Sequence, residues 1–142
     1  MAMRINTAAF RTEPEPPKRR PKKRSDYLAF LQQLPCVVTG RIGVQAAHLS
    51  YANLFHGHFG RGKQTKAPDR FALPLCPEEH AAQHAMNERE YWESKGIEPH
   101  ALANTLFGIW SDYDEPEAVT HCTHRINQGL AIGGRLPSRD SA

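Results

Sequence analysis

The chain has few cysteines, no long apolar run and no internal repeat. Cys36, Cys76 and Cys122 are an odd number, and the position three residues after Cys36 is Thr39, that after Cys76 Glu79. Without CxxC pairs, Cys36 and Cys76 cannot close a four-sulfur zinc site, and they are read as packing residues or the vestige of one. The opening Met1-Ala2-Met3-Arg4-Ile5-Asn6 offers no signal peptide or membrane span. A cytoplasmic protein with reduced thiols and no membrane partner is therefore expected. Allowing for charged, proline-rich ends, roughly 90 residues remain to fold, and a core that small often needs a metal or a partner.

What the chain has in plenty is positive charge at one end. The net +3 understates the asymmetry, because Lys18, Arg19, Arg20, Lys22, Lys23 and Arg24 are crowded together, with Glu13 and Glu15 the nearby acids. Interleaved with Pro14, Pro16, Pro17 and Pro21, this run repels itself into an extended, disordered basic arm over residues 1–24. Such an arm is either a solvated tail or a phosphate-tracking segment whose affinity comes from counterion release. A second basic stretch, from Ser50 to Pro68, holds Gly57, Gly60 and Gly62 among His56, His58, Arg61, Lys63 and Lys66. It is read either as a loop approaching phosphate or as a plain surface excursion.

Between and beyond these stretches the apolar spacing suggests a small α+β domain. Ser25 caps a helix over Asp26–Leu34 that Pro35 stops, and Cys36–Val38 with Val44–Leu49 reads as a hairpin around Thr39–Gly43. Phe71–Leu75 reads as a strand. Pro77, Glu78 and Glu79 then start a helix through Met86, Asn87–Ser94 continues helical, either directly or after a break, until Lys95-Gly96 ends it, and a last helix follows Pro99 through Trp110. Tyr91, Trp92, Phe107 and Trp110 are read as packing residues ahead of base-stacking platforms. Residues 25–112 are expected as the folded domain and 113–142 as a flexible tail, in which His121-Cys122-Thr123-His124 is given no metal role.

The chemistry gathers on three histidines. His80 and His84, four residues apart, share a helix face and can converge on one divalent metal; the alternative is two solvent-facing histidines. A zincin protease is excluded, since it needs a glutamate directly after the first histidine and here that residue is Ala81. His48, on an apolar strand after Ala46-Ala47, is the best candidate for a general base; the alternative is a satisfied core histidine.

Taken in order, Leu34-Pro35-Cys36, Ala46-Ala47-His48, Lys66-Ala67-Pro68-Asp69, Pro74-Leu75-Cys76, His80 with His84, Glu88–Trp92 and Gly96–Pro99 resemble the HNH endonuclease family. The resemblance runs from Asp26 to Trp110 and is nearest to phage and prophage HNH proteins and recombination-associated nucleases. It implies a small ββα-metal, treble-clef-like core with flanking helices. It implies that His48 activates water against a DNA phosphodiester while His80 and His84 hold one divalent ion, whether Mg²⁺, Mn²⁺, Ni²⁺ or Zn²⁺. Asp69 falls near the family's middle asparagine, where it either orients the base histidine or is purely structural. DNA, and by resemblance a recombination protein, are the implied partners.

One departure weighs against turnover: the family usually has an Asp or His beside the base, and this chain has Ala47. Two other readings follow, a nucleic-acid-binding module of the same fold with weak or no catalysis, and a structural adaptor in which metal only stabilises the domain.

Overall fold

A computed structural model describes residues 24–60 and 68–134. Lys18, Arg19, Arg20, Lys22 and Lys23 of the arm, and Arg61, Lys63 and Lys66 of the basic loop, lie outside the described residues; Arg24 begins the first helix. The described part is α+β, in the order α1 (Arg24–Leu31), β1 (Gln45–His48), β2 (Ala72–Leu75), α2 (Pro77–Ala85), α3 (Glu88–Lys95), α4 (Pro99–Asp112) and α5 (Glu115–Ile132). No described helix is long and apolar enough to cross a membrane.

The two strands pair antiparallel, with Gln45 opposite Leu75 and His48 opposite Ala72. This corrects the expected hairpin, because β1 pairs with the strand some 27 positions on rather than with Cys36–Val38. The amides of that earlier segment are already committed. Val38 and Thr39 each point an N–H at the Cys36 sulfur (3.4 Å), Gly40 N–H donates to the Cys36 carbonyl (2.9 Å), and Cys36 N–H to Arg41 (2.8 Å). The result is a tight knuckle that can spare one ladder bond, from Val37 N–H to the Pro74 carbonyl (3.1 Å). Gly40, at φ 75°, makes the reversal possible without the steric cost a side chain would bring.

The helices start and stop where side chains dictate. Pro77 opens α2 without losing a needed hydrogen bond, and the Glu78 carboxyl is held below its usual range by the free N–H groups of that first turn. Asn87 caps α3 by accepting from Glu90 N–H (3.1 Å), and Gly96 ends it in the left-handed conformation at φ 67°. Glu98 caps α4, accepting from His100 N–H (3.3 Å).

The stretch 113–142, expected as a flexible tail, instead contains the longest described helix, α5. Its buried side chains, Ala118, Cys122, Ile126 and Leu130, recur every four residues and pack on α4. Cys122 lies wholly inside, its thiol 3.7 Å from the Leu106 carbonyl and pushed up to about 12 by burial. The polar residues between these four positions dilute the apolar signal, which hides the stripe in the sequence.

One core joins all layers. Tyr27 of α1 meets Phe107 edge-on and Trp110 at a tilt, both at 5.1 Å, while every residue of β2 is buried. Tyr91 and Trp92 are each 1% exposed, which makes them packing residues and removes them as base-stacking platforms.

Candidate active site

His48 ends β1, and the Asp69 that faces it sits in the 3-10 turn (Asp69–Phe71) that leads into β2. Its Nε2 lies 2.8 Å from Asp69 Oδ1, both side chains being about one-third exposed (30% and 32%). An ionised carboxylate only accepts, so Nε2 is the protonated nitrogen and the lone pair stays on Nδ1. A base needs that arrangement: one nitrogen anchored, the other free.

His80 and His84 lie on one face of α2, one turn apart, and their Nε2 atoms are 3.0 Å from each other. Gln45, at the start of β1, accepts from His80 Nδ1–H through Oε1 (2.8 Å), which leaves the His80 lone pair on Nε2. Burial holds His80 below the ordinary histidine range, and the nearby His84 and His48 push the same way. The neutral imidazole is the form that binds metal. Ligands about 2.1 Å from an ion, on adjacent corners of an octahedron, stand about 3.0 Å apart, so this pair fits a divalent cation whose other positions go to water or phosphate. Among the described residues, no group of three or more His, Cys, Asp or Glu side chains could hold a metal.

Three residues define the limits of the cluster. Ala47 is wholly buried in the core, so its position adds no ligand. Cys36 and Cys76 are free and buried: Thr39 Oγ1 donates to the Cys76 sulfur (3.7 Å), and burial pushes the Cys76 thiol up.

Several supporting residues escaped sequence reasoning. Gln83, 2% exposed on α2, donates to Glu88 Oε1 (2.8 Å) and reaches toward the His48 carbonyl (3.5 Å). The Glu88 carboxylate accepts the Ser50 backbone N–H (3.1 and 3.2 Å) and its hydroxyl. This carboxylate ties the exit of β1 to the α2–α3 junction, which holds the His48 backbone in register. Glutamines on short elements follow no apolar period, and nothing in their spacing announces them.

His56 and His58, read as loop residues among cations, have another role. His58 is fully buried, stacked on Phe71 (4.5 Å, 13°), and its Nδ1 lies 3.0 Å from Nε2 of His100, itself fully buried on α4. His100 Nε2 also lies 3.0 Å from the Tyr51 carbonyl, and the His56 ring stacks parallel to it at 6.3 Å. Burial pushes His58 down, with repulsion from His100 and Arg70 adding to it against the pull of Glu88. Burial also pushes His100 down, against the upward pulls of the Tyr51 carbonyl and Glu98. Depressed pKa values mean that the unfolded chain takes up protons the folded one refuses. The contribution is complete above the ordinary value of 6.5 and is lost as pH falls below it. Thermal melts from pH 7.5 to 5 should show a melting temperature that falls as the pH drops below 6.5. A melting temperature that rises on acidification would contradict the assignment.

A family model described as protein of unknown function (DUF968) matches residues 3–108. The chain belongs to the DUF968 family. No curated protein and no solved structure matches it. The DUF968 match takes in His48, Asp69, His80 and His84 together with Gln45, Gln83 and Glu88, and ends before α5.

Proposed function

We propose that this DUF968 chain is a metal-dependent HNH-type endonuclease that hydrolyses DNA phosphodiester bonds, with β1, β2 and α2 as its ββα-metal core. One observation carries the proposal: His48, anchored on Asp69 with Nδ1 free, lies at the same β1–α2 junction as the paired Nε2 atoms of His80 and His84. The resemblance of the ordered motifs to phage and prophage HNH proteins supports it independently.

His48 Nδ1 takes a proton from a water attacking phosphorus, and the Asp69 carboxylate stabilises the imidazolium that forms. The new bond joins the water oxygen to phosphorus, and the bond to the 3′ oxygen breaks. That oxygen picks up a proton from solvent, leaving a 5′-phosphate and a 3′-hydroxyl. His80 and His84 would hold a divalent ion, whose charge, when bound, offsets that building on the phosphate and leaving oxygens. Gln45 keeps the His80 ring turned so that Nε2 faces His84.

A second reading, a DNA-binding module of this fold without turnover, is favoured by the burial of Ala47, which leaves the two imidazoles of His80 and His84 as the paired ligands among the described residues. Supercoiled plasmid incubated with Mn²⁺, Mg²⁺, Ni²⁺ or Zn²⁺ separates the two. The nuclease converts it to nicked and linear forms, and a chelator stops the reaction. His84→Ala should bind Mn²⁺ at least about tenfold more weakly by titration calorimetry. DNA that is bound but left intact with all four metals rejects the enzyme in favour of the binding module.

A further inference from the structure

Three large apolar side chains stand out from the surface within six residues: Leu54 (70% exposed), Phe55 (91%) and Phe59 (82%). They are not on a slack loop. Leu54–His56 form a 3-10 turn closed by Gly57 in the left-handed conformation, and Asn53 pairs with His58 across its base. Arg70 donates to the Gly57 carbonyl (3.2 Å), Asn104 to the His56 carbonyl (3.1 Å), and fully buried His58 is clamped between Phe71 and His100. A Cβ on Gly57 would come within 2.8 Å of the Arg70 guanidinium, so the tip is closely fitted to its support. Exposing this much apolar surface on a rigid mount costs hydration free energy and calls for a partner.

We propose that Leu54, Phe55 and Phe59 form a wedge that inserts between base pairs of duplex DNA beside the scissile phosphate. The inference rests on the DNA-binding half of the function proposed above. Arg70, which supports the tip, is the residue next to Asp69, so the wedge is mounted on the same 3-10 turn that anchors the catalytic histidine. From Gly60 the sequence runs straight into Arg61-Gly62-Lys63-Gln64-Thr65-Lys66, which has three cations and no acid and so favours a polyanion over an acidic or neutral protein surface. The mixture of leucine with phenylalanine also decides between modes. Single-strand platforms use flat aromatic faces, whereas side chains that pry apart a duplex step are apolar wedges of mixed shape.

Prying open one step locally unstacks it, and 2-aminopurine reports unstacking by brightening. Full-length protein in chelator, where nothing is cleaved, is titrated into duplexes with 2-aminopurine at successive positions. A several-fold rise is expected at one or two adjacent positions. The Phe55→Ala/Phe59→Ala variant should lose that rise and bind on the order of tenfold more weakly, with an unchanged melting curve because both side chains are exposed. Phe55→Trp, which keeps a flat apolar ring, should retain the rise. If wild type binds duplex without brightening at any position, or the double variant behaves as wild type, the wedge is wrong and the nuclease proposal stands. If wild type binds no DNA, both fall. Should wild type be dimeric by light scattering and the double variant monomeric with equal DNA affinity, the patch belongs to a second copy instead.

Discussion

His48→Ala should cleave plasmid about 100- to 10,000-fold more slowly than wild type, the usual contribution of a positioned general base. Its melting curve should stay close to wild type, because the side chain is one-third exposed and its loss leaves the Gln83–Glu88–Ser50 tie intact. Metal affinity should hold as well, since His80 and His84 contact each other and Gln45 holds His80. Asp69 refines the expectation. Asp69→Asn keeps an oxygen that accepts from Nε2–H but loses the charge that stabilises the imidazolium, so it should slow cleavage less than Asp69→Ala, which loses both. Initial rates of nicking at saturating Mn²⁺ measure all three. A His48→Ala protein that cuts at the wild-type rate removes His48 as the base, whatever the metal pair does.

Truncation after Tyr113 should abolish the cooperative thermal transition. It removes α5, which buries Ala118, Cys122, Ile126 and Leu130 and packs on α4, where the Cys122 thiol meets the Leu106 carbonyl. A link from Glu115 to Gln33 beyond α1, at 2.8 Å, goes with it. Shortening a single buried Leu or Ile to alanine typically costs about 2–5 kcal/mol, and a whole domain has only about 5–15 kcal/mol in hand. Leu130→Ala alone should therefore lower stability by about 2–5 kcal/mol in a urea titration, without changing DNA cleavage at low temperature. A truncated chain that melts like wild type would make residues 113–142 a dispensable tail after all.

The elements legible in the sequence are those whose signals are local. Pro77 with Glu78 and Glu79 marked the start of α2, Gly96 the end of α3, and Pro99 the start of α4, because caps and proline act through the nearest few backbone groups. Those misread depend on distant partners. Cys36–Val38 has strand-like composition, yet the Val38 and Thr39 amides turn onto the Cys36 sulfur and the Cys36 amide onto Arg41, and β1 goes to β2 instead. In α5 the buried positions are spaced by four, but two of them are Ala118 and Cys122, residues too small to stand out among Thr120, His121, Thr123, His124 and Arg125.

The candidate site divides along the same line. The i, i+4 spacing alone put His80 and His84 on one helix face, since helix geometry is a property of the chain. Order along the sequence singled out His48 and Asp69 as base and neighbour. Tertiary structure decided that His48 Nε2 meets the Asp69 carboxylate, that Gln45 turns His80, that Ala47 is sealed in the core, and that His58 and His100 form a buried pair. Each of these joins residues 21 to 42 positions apart, except the burial of Ala47, which follows from how the sheet faces the core. The physical reason is range: caps, turns and helix faces are set within a few residues, whereas which nitrogen is protonated and which side chain is dry depend on what the fold brings against it.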